Sequence, residues 1–471
     1  MSDGRRRIAC WLAGAVAASI AWGATPGPAD RPWVDDFRKV WETIRDGFYD
    51  PRLGGVDWSK MKLRYKPQVE AATSLEQGAV VINRMLAELG ASHTAYYTDQ
   101  DTEYYLMMNL FPGTLPSDGD RIGYLDILVP DASVQTWREE TKEKTGGPEG
   151  PPADADYVPP QRVVVHAGYV GIGVFTVTID GETFVRAVVD WGPADAAGIK
   201  VGDRLISAGG EPWHPIRPFL RKQGKPVAVR VQRTPDRGSV MDVVVVPSFI
   251  APLDFFLAGQ VKSERVLERK GRRIAYVHVW CYAGDQFQRE LSAAITRGEL
   301  ADADALVLDV RDGYGGGSVD NLALFGDRLP DTQMTRRDST PMMTEGHWKK
   351  PVALLVNRWT RSGKELFAYG FKKYGYGPVI GERTAGAVLA AHAVRIGDRS
   401  ILYMAVTDVR IDGERLEGRG VEPDIVVPSA IPYSEGRDPQ LDRAAEELAK
   451  ILDEKHVPKR PEPTNPTPPT P

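Results

Sequence analysis

From about residue 251 onward the chain keeps switching period. An apolar run of strand length is followed by a stretch with helical spacing: RIAYVHVW by DQFQRELSAAITRG, ALVLDV by a glycine turn and SVDNLALFGDRL, VALLVN by KELFAYGFKKYG. Helices packed on a buried sheet satisfy that pattern, so this part of the chain is committed to an α/β layer. Upstream the pattern differs. Residues 163 to 247 hold short β runs, RVVVHAG, GIGVFTV, FVRAVV, AVRVQR and MDVVVVP, broken by Gly, Pro and Asp, which is a compact domain of its own. Residues 31 to 105 carry helical spacing in DDFRKVWETIRDGFY and SLEQGAVVINRMLAEL, and Gly90 stops the last helix before ASHTAYY. The stretch EETKEKTGGPEGPPADADYVPP offers nothing to a core and reads as a loop or linker. In SILYMAVTDVRIDGERLEGRGVEPDIVVP, Asp412 and Gly413 supply a hairpin-like turn.

Length and charge narrow the function. The 471 residues suffice for roughly three domains at about 150 residues each. With 59 basic against 64 acidic residues and no long basic block, nucleic acid is an unfavoured partner. Arg5, Arg6 and Arg7 precede an apolar run from Ile8 to about Trp22, the pattern of an export signal over residues 1–24, with an uncleaved membrane anchor left open. Export to the periplasm or cell exterior is the expectation. Cys10 lies inside that signal, so Cys281 stands alone in the mature chain and reads as a small core residue.

Three places could carry chemistry. Ser362 in NRWTRSGKEL sits where a buried strand gives way to a helix, a position at which helix-terminal amides stabilise developing negative charge. Ser362 with Glu365 is equally a capping box. The run Gly313, Tyr314, Gly315, Gly316, Gly317 exposes backbone N–H groups that could take an oxyanion, or is a tight structural turn. Ser92 and His93 follow a helix end. The remaining histidines, at 166, 214, 278, 347, 392 and 456, form no metal-ligand spacing, and neither a metal nor a cofactor is expected.

These residues bring the chain to a family. Residues 31 to 434 resemble the carboxyl-terminal processing (tail-specific) serine proteases and, more closely, the core of the tricorn protease. GYVGIGVFTV with VVDWGPADAAGIKVGDRLISAGGEPW looks like their PDZ domain, LDVRDGYGGG their oxyanion loop, LVNRWTRSGKEL their nucleophile segment, IGERTAG the following strand and GRGVEPD their terminal signature. The resemblance implies an α/β multidomain fold: a helical domain at 31–105 carrying Ser92 and His93, a loop or linker at 106–162, a PDZ-like domain at 163–248, a serine protease core at 249–434, a helix at 435–456 and a proline-rich tail at 457–471. Polypeptides with accessible C-termini would be the substrates, their terminal carboxylate meeting the amides of Gly171, Ile172 and Gly173.

The two branches differ in the general base. Ala387 stands where the tail-specific branch has its lysine, whereas Ser92, His93 and Glu417 stand where the tricorn branch has its base and that base's supports. The resemblance therefore assigns Ser362 as nucleophile, His93 as base, Ser92 and Glu417 as its orienting groups, and the amides of Gly363 and of Gly315 or Gly316 as the oxyanion hole. Two readings compete with a serine peptidase of this kind. One is a non-catalytic PDZ-containing binding protein on the same fold; the other is a serine/lysine protease using Lys364 or Lys373. An ordinary imidazole would place the acid limb of kcat/KM near pH 6 to 7, raised by Glu417. Trp359, Arg361 and Lys364 depart from the small residues usual around the nucleophile, which should narrow substrate choice, and Asp312 beside the glycine turn needs a partner, for which Arg311 is the nearest candidate.

Overall fold

The computed structural model describes residues 31–111, 167–317, 319–326, 332–335, 341–344 and 347–456. The export signal at 1–24, most of the 106–162 linker and the tail at 457–471 lie outside the described residues.

Helices α1 (Pro32–Gly47), α2 (Trp58–Ala71) and α3 (Leu75–Ala87) come first, followed by strand β1 (Ala95–Thr98) and helix α4 (Thr102–Leu110). Proline opens α1, and Trp33, Phe37, Val40, Trp41 and Ile44, spaced by three and four, are buried along one stripe. The Ser74 side chain caps α3 by accepting from the N–H of Gln77. The helix α4 continues through Leu110, so the first residues read as linker from 106 are helical. Its YYLMMNL run is apolar all round and carries no period, because most of its side chains are buried.

A β domain follows: β2 (Tyr169–Gly171), β3 (Val174–Ile179), β4 (Glu182–Val188), a short helix α5 (Pro193–Ala196), β5 (Arg204–Ala208), β6 (Glu211–Pro212), β7 (Val227–Gln232), β8 (Val240–Val245) and β9 (Ser248–Ile250). The main sheet runs β3-β4-β5-β7-β8 with β6 on β5, and β2 pairs with β9 where the chain enters and leaves. Val185, Leu205, Phe219, Val229, Val231 and Val245 fill its separate core.

The remainder is the α/β layer. It comprises α6 (Pro252–Ser263), β10 (Arg265–Arg269), β11 (Arg272–His278), α7 (Asp285–Thr296), β12 (Ala305–Asp309), β13 (Thr332–Thr335), β14 (Pro341–Thr344), β15 (Val352–Val356), α8 (Gly363–Lys373), β16 (Val379–Gly381), β17 (Ala390–Gly397), β18 (Ser400–Thr407), β19 (Ile425–Val426) and α9 (Pro439–Glu454). Six strands form the sheet β10-β11-β12-β15-β16-β19, parallel except for β10. Alternate side chains explain its two covers. Ile274, Tyr276, Val307 and Leu355 meet Ala444, Leu448 and Leu452 of α9 on one face, while Val277, Leu308 and Leu354 join Phe287 of α7 and Phe367 and Phe371 of α8 on the other.

The hairpin in the last part of the chain is β17 with β18, whose turn is at Asp398 and Arg399, one strand earlier than the sequence suggests. Asp412 and Gly413 make a smaller turn that joins Ile411 to Glu414 alone. β18 also pairs antiparallel with β1. Leu389, Ile396, Leu402, Met404 and Ala405 of the hairpin segment share one core with Trp33, Phe37, Ile44, Ile82 and Met85, so the N-terminal helices do not close a core by themselves.

Candidate active site

The parallel strands β11, β12 and β15 end together, and the turns that leave their carboxyl ends converge, which is where open α/β sheets place their sites. In the turn after β15, Asn357 Oδ1 accepts the N–H groups of Trp359 and Thr360 at 3.0 and 3.1 Å. Ser362 then opens α8 with φ 59° and ψ −132°. A left-handed φ in a non-glycine residue costs of order 1–3 kcal/mol and persists only where the surroundings impose it. A serine that did nothing but cap the helix would stay in the extended region. The Ser362 N–H donates to Ala387 O at 2.8 Å and to Glu365 Oε2 at 3.3 Å, so the capping glutamate is engaged as well. Glu365 also accepts from Thr384 Oγ1 and from the N–H groups of Gly386 and Ala387. Burial pushes its carboxyl up to about 7 against those donors.

The glycine turn after β12 lies directly on Ser362. A Cβ on Gly315 would fall 2.5 Å from Ser362 Cβ and 3.0 Å from Gly363 N, and one on Gly363 would fall 1.9 Å from Gly316 O. Only glycine permits that approach. Gly316 and Gly317 have φ of 83° and 75°, which turn the loop back. The main chain of Gly315, Gly316 and Gly363 is thereby packed close around the hydroxyl-bearing carbon.

Ser92, His93 and Glu417, far apart in sequence, meet. Glu417 Oε1 accepts the Ser92 N–H at 2.9 Å, and Oε2 accepts the Ser92 hydroxyl at 2.8 Å. Ser92 Oγ lies 2.9 Å from His93 Nδ1. Because the hydroxyl has one proton and gives it to the carboxylate, it must accept from Nδ1–H, which leaves His93 Nε2 as the free lone pair. Glu417 Oε2 further accepts the N–H groups of Val388 and Leu389 at 2.9 and 3.3 Å. The consecutive residues Ala387 and Val388 thus tie Ser362 and the Glu417–Ser92–His93 chain to one short segment. His93 itself has φ 51°, and its ring lies 5.6 Å from that of Tyr403 on β18. Burial, reinforced by the Arg361 charge, holds the imidazole down to about 3. Burial thus shifts the imidazole below the ordinary value expected from sequence, and Glu417 reaches the ring through Ser92 instead of touching it.

Residues 273–427 match peptidase family S41, and residues 30–87 match the tricorn protease C1 domain. The 273–427 stretch of the chain is similar to the S41 peptidase domain. Ser362, Gly315, Gly316, Gly363 and Glu417 lie inside that domain, whereas Ser92 and His93 lie outside both matched spans. Among curated proteins, tricorn protease homolog 1 of Streptomyces coelicolor is 26% identical over 90% of this chain and 35% of its own. Carboxy-terminal processing protease CtpB of Bacillus subtilis is 25% identical over 57% of this chain and 58% of its own. Of solved structures, the photosystem II D1 C-terminal processing protease covers 86% of this chain at 16% identity with a TM-score of 0.46. The chain spans about a third of the length of the two Streptomyces relatives it matches.

Three further residues brace the S41 domain's glycine turn, and the sequence did not single out their roles. Asp312, with φ 51°, does not pair with Arg311, which is occupied by Asp309 and Asp438. Its carboxylate pairs with Arg186 of β4 in the β domain and accepts Asn357 Nδ2 at 2.8 Å. The Arg186 guanidinium stands over the Phe175 and Trp359 rings. Lys364, two residues after Ser362, is wholly buried, and its Nζ donates to the carbonyls of Asp312 and Trp280, each at 3.0 Å. Burial pushes it down to about 7. Cys281 is buried beneath the same turn, and burial pushes its thiol up to about 11, so it is a core residue and a poor nucleophile. Lys373 is on the surface beside Asp412. Neither lysine is arranged as a base: the Nζ of Lys364 is committed to two carbonyls and that of Lys373 to a carboxylate.

Proposed function

We propose that the protein is an exported serine peptidase in which Ser362 attacks the scissile carbonyl and His93 Nε2 takes its proton and returns it to the leaving amine. Ser92 and Glu417 fix the Nδ1–H tautomer and stabilise the imidazolium that forms, and the amides of Gly363 and of Gly315 or Gly316 bind the oxyanion. The β domain at 163–248 serves as a PDZ-like module that receives C-terminal tails at Gly171, Ile172 and Gly173. In its favour, Gly173 has a left-handed φ of 77° and the β2–β9 pair leads straight into α6 of the core. Segment 1–24 delivers the chain to the periplasm or outside the cell.

The observation that carries this reading is the unbroken Glu417–Ser92–His93 chain secured to Val388 and Leu389, directly after the Ala387 whose carbonyl holds the strained Ser362. A helix cap and a surface histidine require none of it. The test is a fluorophosphonate probe. Wild type should label and Ser362→Ala should not, while His93→Ala should label more slowly by about 100-fold or more. Failure of the wild type to label, with the fold intact, would leave the non-catalytic binding protein as the reading.

A further inference from the structure

We propose that Arg361 determines specificity at this site by receiving the side-chain carboxylate of an aspartate or glutamate next to the scissile bond. The inference rests on the peptidase reading above and adds the class of substrate.

Arg361 directly precedes Ser362, and its carbonyl oxygen lies 3.0 Å from where a Cβ on Gly315 would be. It is therefore part of the same turn that presents the nucleophile. The residue is half-buried, and its guanidinium stands 5.4 Å from the centroid of the Tyr314 ring on the glycine turn. The groups that feel its charge come from the other side: His93 ahead of β1, Tyr97 on β1, Tyr403 on β18 and Glu103 at the start of α4, with Arg186 of β4 close by. Arg361 thus faces the space between the S41 domain and the β1–β18 sheet, where a substrate must lie to reach both Ser362 and His93.

Among the described residues its charge meets no carboxylate at ion-pair distance. Arg186, Arg233, Arg272 and Arg311, the other arginines that are deeply placed, each pair with an aspartate: Asp312, Asp203, Asp453 and Asp309. Among the described residues Arg361 has no ion pair and no hydrogen bond. Arg186 is neutralised by Asp312, and Glu103 stays beyond ion-pair distance with its Oε2 accepting from Thr102 Oγ1. A guanidinium withdrawn from water without an acceptor is unfavourable, and a carboxylate supplies two oxygens that match its fork. Because the arginine is adjacent in sequence to the attacking residue, the carboxylate that fits belongs to the residue whose carbonyl is attacked or to its immediate neighbour.

The test uses internally quenched peptides that differ at the residues flanking the bond, with Glu against Gln and Asp against Asn, each with a free and an amidated C-terminus. The wild type should favour the acidic member by about tenfold or more in kcat/KM, as expected for a charge-assisted contact. The preference should shrink with salt. In Arg361→Gln the Glu/Gln ratio should collapse to about one, and in Arg361→Glu it should fall below one, with Gln favoured over Glu. Binding of the same peptides to Ser362→Ala, followed by fluorescence anisotropy, must show the same order, so the proposal stays testable where turnover is lost. A Glu/Gln ratio near one in the wild type, or one unchanged in Arg361→Gln, overturns it. So does a preference that depends on the free C-terminus and not on the side chain. Absence of all cleavage and of fluorophosphonate labelling would strike the peptidase reading instead, and the binding order would still decide the role of Arg361.

Discussion

Glu417 holds Ser92 by two hydrogen bonds at once, 2.9 Å to its N–H and 2.8 Å to its hydroxyl, across 325 residues of sequence. The carboxylate thereby fixes both the position of the backbone before His93 and the direction of the Ser92 proton. Every other ligand of its two oxygens is also a donor, the N–H groups of Val388 and Leu389.

Glu417→Gln puts an amide donor where three donors already converge. The expected result is a kcat lower by about 100-fold, since the His93 tautomer is no longer enforced, and a loss of about 1–3 kcal/mol of stability for the donor left without an acceptor. Ser92→Ala should match the loss in kcat with less effect on stability. Steady-state kinetics and denaturant melts measure both. Full activity in either variant would detach the pair from catalysis.

The acid limb should lie well below pH 6. Burial and Arg361 hold His93 to about 3, so the imidazole is neutral and able to accept a proton throughout the mildly acidic range. Arg361→Gln removes a neighbouring cation, raises the His93 pKa and should move the limb to higher pH. The same shift affects folding. An unfolded imidazole titrates near about 6.5, so below that pH the unfolded chain binds more protons than the folded one. The contribution of His93 to stability is present above about 6.5 and is lost as pH falls toward 3. A kcat/KM profile from pH 3.5 to 8 checks the first statement; an apparent pKa near 6.5 in the wild type would contradict it.

Gly315→Ala should abolish probe labelling without unfolding the protein. The new methyl would stand 2.5 Å from Ser362 Cβ, and backbone must move to admit it. Labelling with a fluorophosphonate, alongside a thermal melt, separates a displaced nucleophile from a lost fold.

Lys364→Met keeps the length of the side chain and removes the donor to the Asp312 and Trp280 carbonyls. The glycine turn should loosen, lowering kcat by about 10- to 100-fold with KM nearly unchanged, because the oxyanion amides act on the transition state. The pH limb assigned to His93 should stay in place. A limb that disappears with Lys364 would revive the serine/lysine reading.

Much of this site was legible as residue types in order, and little of it as geometry. The strand, turn and serine before α8 and the glycines after β12 announce themselves because each element is local. Ser92, His93 and Glu417 came from likeness to a protease family, since no spacing rule links residues 92 and 417. Lys364 reads in sequence as a departure from the small residues beside the nucleophile or as a candidate base, and only the packing of α8 against Trp280 shows that it is dry. The partner of Asp312 differs for a similar reason: Arg311 is adjacent in sequence, but the chain leaves β12 at Asp309 and turns at Asp312 with a φ of 51°, so Arg311 points to Asp309 and Asp438 while Arg186 arrives from another domain. The depressed His93 likewise follows from burial that no local pattern encodes.

The pairing of β1 with β18 sets an order on synthesis. When residues 95–98 emerge, the strand they need lies about three hundred residues ahead, and Glu417 is later still. A nascent chain therefore contains Ser362 before Glu417 can hold Ser92 and His93 in place. Such a chain lacks the hydrogen bonds that join Glu417, Ser92 and His93 until nearly all of it has been made.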